Sequence, residues 1–229
     1  PPPGTEIPEL RETLKSMTAA LAPEKDRLAR EAKARRDKVT RELAGFTPAS
    51  LGEPSHIEIP PTSIKKAEGI VGQAYEFSGE ESLLVPAGLP PFDVHTPFTV
   101  AFWAKATEDR PEGTLYANNG NRGFSIAVFQ GRALKVSTNG NWYWATPPQQ
   151  LADWCHLVFT YDGEKIALYQ NGAPVNAADR TGRMESSSRG TTIGDKFKGW
   201  IDDLRVYPQA LTKDQVAKLY KYQRYVQGE

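Results

Sequence analysis

The sequence predicts an all-β sandwich of two antiparallel sheets, preceded by a charged α-helical hairpin and closed by a short C-terminal helix. Three observations carry this. The stretch 154–172 reads as two strands joined at Asp162-Gly163 and closed at Asn171-Gly172, and period-two alternation bounded by such turns is a strong hairpin signal. Between Gly69 and Tyr207, short strand-like runs recur with turn residues between them and no helical periodicity, the pattern of a sandwich rather than of βαβ units. Residues 8–45 are rich in Ala, Leu, Glu, Lys and Arg and contain no aromatic residue.

Taken in order, Leu10, Leu14, Met17 and Leu21 recur at helical spacing. Pro23 then suits the first position of a second helix, where its missing N–H costs nothing. Glu24 and Asp26 follow, with Arg35, Arg36, Lys38 and Arg41 later, an order that complements the helix dipole. Leu28, Ala32, Val39 and Leu43 make a thin apolar stripe, and Gly45 is a natural stop. Two readings of this preface, 1–45, stand: a solvated linker, or helices that lean on a neighbouring domain. Residues 46–68 read as a Pro- and Ser-rich linker in which His56-Ile57-Glu58-Ile59 could add an edge strand. The domain at 69–229 follows, with strands expected at 74–77, 82–85, 98–105, 114–117, 123–129, 133–138, 142–146, 154–161, 165–170, 191–193 and 200–207. In the hairpin, Leu157 and Phe159 share one face and His156, Val158 and Thr160 the other. Thr212-Lys213-Asp214-Gln215 is a capping box, with Leu211 and Val216 at the hydrophobic-staple positions, and it starts the closing helix.

The chain has 229 residues with 28 basic and 28 acidic side chains, so no overall field draws in nucleic acid or an anionic surface. No apolar run approaches the length of a membrane span. The opening Pro1-Pro2-Pro3-Gly4 is expected to belong to a piece of a longer or processed protein. Cys155 is the one cysteine and reads as a small buried apolar residue.

Candidate ligand-binding residues lie in two loops and the strand that follows one of them. Trp142 and Trp144 alternate with Tyr143 after Asn139-Gly140-Asn141, and Asn118-Asn119-Gly120-Asn121-Arg122 brings amides and a guanidinium. An aromatic plane with directional amide donors is what a sugar ring needs. Asn118, Asn119, Asn121, Arg122, Asn139, Asn141, Trp142 and Tyr143 are the expected ligand residues; Trp144 reads as core. His156 reads as a satisfied strand histidine, and His56 and His95 lie in Pro-flanked loops without an apparent partner. Catalysis is not expected. Glycoside hydrolysis needs two facing carboxylates, about 5–5.5 Å apart in a retaining enzyme. No Glu-x-Asp-x-Glu strand, Gly-x-Ser-x-Gly, His-Glu-x-x-His or phosphate loop occurs.

The ordered phrases Gly72-Gln73-Ala74-Tyr75-Glu76-Phe77-Ser78-Gly79, Phe98-Thr99-Val100-Ala101-Phe102-Trp103, the stretch 154–172, and Gly199-Trp200-Ile201-Asp202-Asp203-Leu204-Arg205-Val206-Tyr207 followed by Ala210-Leu211 resemble the laminin G-like, concanavalin A-like jelly rolls. With its charged preface the chain is also similar to modules in planctomycete secreted multidomain proteins that carry cytochrome-c-like domains. The resemblance implies two curled antiparallel sheets, with Trp103, Trp154 and Trp200 at core positions. It implies noncatalytic recognition of carbohydrate or a protein surface, and an extracellular or periplasmic bacterial setting. Some members hold a structural Ca2+. Carried over, this places an ion at Asp202 or Asp203 with carbonyls near Ser78 and Gly79, although Ser78 stands where the family usually has Asp. The competing reading has these carboxylates pair with Arg205 or accept backbone N–H groups from a loop. The expected function is thus a binding module within a larger secreted protein, its partners being carbohydrate or a protein surface and, through the helices, neighbouring domains. A spacer or docking domain without free ligand, and a glycoside hydrolase of the same fold, are the rivals.

Overall fold

The computed structural model describes residues 8–55, 62–85, 96–107, 111–118, 124–129, 133–138, the backbone of 141–145, 151–179 and 190–227. It divides into two units, Pro1–Ala44 and Gly45–Glu229.

The first unit is one helix, α1, Pro8–Glu42, with Pro23 in its interior. This corrects the expected hairpin. A proline inside a helix forfeits one hydrogen bond, here to the Ala19 carbonyl, and crowds the preceding turn. Ala19, Ala20, Leu21 and Ala22 before it are strong helix formers with no residue suited to a reversal. After it, Arg27 donates to Glu24 at 2.6 Å and to Glu31 at 2.6 Å, bracing the next turns.

The second unit is a sandwich. Its strands are β1 Lys65–Glu68, β2 Gln73–Ser78, β3 Leu83–Val85, β4 Phe98–Ala106, β5 Gly113–Asn118, β6 Phe124–Phe129, β7 Ala133–Thr138, β8 Asn141–Ala145, β9 Cys155–Tyr161, β10 Lys165–Gln170, β11 Ala173–Asp179, β12 Thr191–Asp195 and β13 Lys198–Tyr207, followed by the helix α2, Lys213–Tyr222. One sheet runs β1-β2-β13-β4-β9-β10-β11 and the other β3-β12-β5-β6-β7-β8, all pairs antiparallel.

The β9–β10 hairpin forms as its alternation requires. Asp162 Oδ1 accepts the N–H groups of Glu164 and Lys165, at 2.9 and 2.6 Å, and so tightens the turn. Asn171 and Gly172, both at positive φ, carry the chain from β10 into β11. Leu157, Phe159, Ile166 and Leu168 enter the core between the sheets. There Phe98, Phe124 and Phe159 pack with centroids 4.3–5.7 Å apart. Val158 and Tyr169 point the other way into a second core with Ala101, Tyr207, Leu51, Leu211, Val216 and Leu219. Both faces of the seven-stranded sheet therefore bury apolar surface: one against its partner sheet, the other under α2 and the 3-10 turn Pro48–Leu51.

Two strands were not expected. β1 lies in the stretch read as linker, and its Lys-Lys-Ala-Glu sequence has no apolar alternation. β11 carries Pro174, which disfavours a strand except at an edge or a bulge; β11 is an edge, and the pairing shifts there between Leu168 and Tyr169. The edge strand considered at 56–59 lies outside the described residues.

Candidate functional site

The six-stranded sheet presents one face to the core and one away from it. Its core rows are set by register. Leu83, Ile193, Tyr116, Ile126 and Val136 stand opposite one another in turn, and Tyr143 continues their row. The neighbouring core-side row is Val85, Thr191, Asn118, Phe124, Thr138 and Asn141.

The opposite face carries the alternate residues. One row crosses every strand: Leu84, Thr192, Ala117, Ser125, Ser137 and Trp142. A second holds Thr114, Ala127, Lys135 and Trp144. On the middle strands of the first row Ala117 and Ser125 are buried, at 9% and 6% exposed, and Thr192 is half-buried. Leu84 is 56% exposed on one edge strand, and Trp142 and Trp144 occupy outer-row positions of the other. Phe129, 40% exposed, has the Lys135 ammonium 5.5 Å from its ring centroid.

This arrangement rearranges the sequence expectations. Trp142 takes a register position on the outer row. Trp144, expected in the core, falls on the outer side too. Tyr143 and Asn141, expected at the ligand, sit in core-side rows, because successive strand residues alternate faces. Asn118 is 2% exposed at the C-terminal end of β5. Asn119, Asn121, Arg122 and Asn139 lie outside the described residues. The outer row escaped the sequence reading, although a signal existed: bulky and small residues alternate through Phe124-Ser125-Ile126-Ala127-Val128, as residues on opposite faces of a strand do. Of the expected core tryptophans, Trp103 is 1% exposed. Trp154 and Trp200 are only partly buried, and Trp200 lies beneath the Lys105 ammonium at 5.6 Å.

The residues expected to hold Ca2+ do not converge. Register puts Ser78 opposite Lys198, at the far end of the paired stretch from Asp202 and about 13 Å along the strand. Ser78 gives both its N–H and its hydroxyl to Glu81. Asp202, 3% exposed, accepts the Ile70 and Val71 N–H groups at Oδ2, at 2.6 and 2.8 Å, and fastens the turn between β1 and β2. A methyl at Gly69 would overlap that carboxylate. Asp203 sits at φ 47 in a bulge of β13 and accepts Arg205 Nε at 2.8 and 3.0 Å and the Gln223 amide. Burial pushes both carboxyls above their ordinary value; the two N–H groups act against this at Asp202, and Arg205 does so at Asp203. Among the described residues no three His, Cys, Asp or Glu side chains stand close enough to share a metal. The four-residue set therefore does not form the oxygen cage a hard cation wants. Asp202 Oδ1 alone has no hydrogen-bond partner there.

A cleft of about 570 Å3 opens beside this bulge, lined by Tyr75, Phe77, Leu83, Ile193, Ile201 and Leu204 with Glu53 and Ser55 at the linker side. No helix among the described residues is long and apolar enough to cross a membrane.

No curated protein matches the chain. Solved structures do. Domain 4 of AbnA, a GH43 extracellular arabinanase from Geobacillus stearothermophilus, in complex with arabinotriose, is 24% identical with a TM-score of 0.56, over 73% of this chain and 86% of that one. The binding domain of Paraclostridial Mosquitocidal Protein 1 is 17% identical with a TM-score of 0.59, over 72% of this chain and 47% of its own. The botulinum neurotoxin serotype D binding domain is 15% identical with a TM-score of 0.59, over 73% and 46%. The chain thus spans about half the length of the two toxin domains. At these identities the likeness is one of fold. Residues 77–217, well over half of the sequence, match the family model described as the concanavalin A-like lectin/glucanases superfamily, and the chain belongs to that superfamily.

Proposed function

We propose that the sandwich is a noncatalytic carbohydrate-binding module, working within a larger secreted protein, and that its ligand lies across the outer face of the six-stranded sheet. The observation that carries this is the row Leu84, Thr192, Ala117, Ser125, Ser137 and Trp142, flanked by Lys135 and Trp144. Ala117 and Ser125 are buried in the middle of this row, so contact falls to the residues at its edges and to half-buried Thr192 and Lys135. Two indoles at outer-row positions of one edge strand would stack on sugar C–H faces, while Thr192 and Lys135 supply donors. The arabinotriose held by the arabinanase domain supports an oligosaccharide of neutral pentoses as the first class to try. The acidic pair does not favour hydrolysis, since Asp202 fastens a turn and Asp203 is engaged by Arg205 and Gln223.

The test is affinity electrophoresis through gels cast with arabinan, xylan, β-glucan or mannan. Wild-type protein should be retarded by one of them, and Trp142→Ala or Trp144→Ala should lose at least about tenfold in affinity, or about 1.4 kcal/mol, with an unchanged melting temperature. Retardation that survives both substitutions would remove this face from the account.

A further inference from the structure

The apolar residues of α1 have no role in the sugar-binding reading. Leu10 is 60% exposed, Leu14 58%, Met17 57%, Leu21 64% and Leu28 51%. Their spacing alternates four and three, with Glu24 filling the one gap before Leu28. In heptad terms they are d, a, d, a, d and a, a coiled-coil seam. The next two seam positions are Glu31 and Arg35, so the seam stops at Leu28. Pro23 falls at a c position and the carbonyl it strands, Ala19, at f. Both lie on the side away from the seam, where water can satisfy the carbonyl.

The seam is its own mirror in an antiparallel sense. Inverting α1 about Ala19 lays position 10 on 28, 14 on 24, and 17 on 21. Leu10 then meets Leu28, Met17 meets Leu21, and Leu14 meets Glu24 of the second copy. Each d faces an a, as antiparallel coils require. Such self-complementarity is what a two-fold interface demands. Charge selects the same orientation. A parallel pair would press Glu24 against Glu24 in a half-dry layer, and like charges there are destabilising. The antiparallel pair separates the two Glu24 side chains and flanks each with Arg11 of the other copy, while its own Arg27 pairs with it at 2.6 Å. The flanks at the centre are Ala20 against Ala20 and Thr18 against Thr18, small and uncharged. Arg11 also comes near Lys25 of the second copy, which limits the affinity.

We propose that α1 is a dimerisation helix, pairing antiparallel with α1 of a second copy of this chain over residues 10–28. Five half-exposed apolar side chains from each helix cover on the order of 1,000 Å2 in total, at the low end of stable interfaces. The dimer is accordingly weak and reversible. It joins two copies of the sandwich in one assembly, and multivalent engagement raises avidity for a repetitive ligand.

Sedimentation velocity on the full chain tests this. Wild-type protein should pass from monomer toward dimer between about 1 and 100 µM. Leu14→Glu combined with Leu21→Glu should stay monomeric throughout, with the sandwich's near-ultraviolet circular dichroism unchanged. A second pair of variants reads orientation under mild oxidation, the native Cys155 being buried. Ala20→Cys should cross-link to itself. Leu10→Cys should not, because the antiparallel register sets the two copies of position 10 about 27 Å apart. A wild-type monomer at 100 µM, a dimer indifferent to the double glutamate variant, or cross-linking through Leu10→Cys in place of Ala20→Cys would each overturn the proposal. None of these results bears on whether the sheet face binds sugar, so the two readings fail separately.

Discussion

His156 is fully buried on the outer side of the seven-stranded sheet, between Trp103 at 5.0 Å and Tyr220 at 6.0 Å, and neither ring nitrogen has a hydrogen-bond partner among the described residues. Burial, helped by the nearby Arg205 charge, pulls its pKa from 6.5 down to about 3. The unfolded chain therefore takes up the proton first as pH falls. The stability this lends is complete above the ordinary value of 6.5 and disappears as pH drops toward 3, at no more than about 1.4 kcal/mol per pH unit for one proton. Asp202 and Asp203, raised by burial, act with the opposite sign as pH climbs past their ordinary range. The difference between wild type and His156→Phe in urea denaturation isolates the imidazole: the wild-type midpoint should fall relative to the variant's as pH drops from 6.5 to 4.5, and parallel curves would show that His156 does not titrate on unfolding. A chelator addresses Asp202. Since its Oδ2 already has two N–H partners and no three metal-ligating side chains cluster among the described residues, excess EDTA should leave the melting temperature unchanged. A drop of several degrees would mean that an ion completes Asp202 Oδ1.

At the level of elements, α2 decides how one side of the molecule closes. Thr212 accepts Gln215 N–H, and Gln215 Oε1 accepts Thr212 N–H at 2.8 Å, the reciprocal pair its sequence announces. Leu211 and Val216 are buried beside it in the second core. Thr212→Ala should cost about 1 kcal/mol in chemical denaturation, while Thr212→Ser should cost much less. A loss below about 0.3 kcal/mol would mean packing alone holds the helix. This cap and the β9–β10 hairpin were readable because their information is local: turn residues and side-chain periods within a dozen positions. β1 and β11 were not, because an edge strand with Pro174 or a Lys-Lys-Ala-Glu sequence is stabilised by its neighbour and not by its own propensity. Pro23 misled in the opposite direction, since the helix-forming residues on either side outweigh one lost hydrogen bond.

Across the whole molecule, the two-layer architecture could be read from the order of the strands, but the face a residue serves could not. That property depends on pairings between segments far apart in the chain. Trp144 and Tyr143 exchange their expected places because a single step along β8 moves a residue from one side of the sheet to the other. Asp202 and Asp203 likewise stood as alternatives for one ion site, against a reading in which they pair with Arg205 or accept loop N–H groups; the structure gives Asp202 to the turn between β1 and β2 and Asp203 to Arg205 and Gln223. Phe46 meets Tyr222 edge-on at 6.1 Å, near the beginning and the end of the sandwich unit. The strands between them make a closed circuit that departs from and returns to one spot. A host protein could therefore accept this unit within a surface loop without moving the loop's two anchor points apart, and gain a lateral arm while its own backbone continues almost as before.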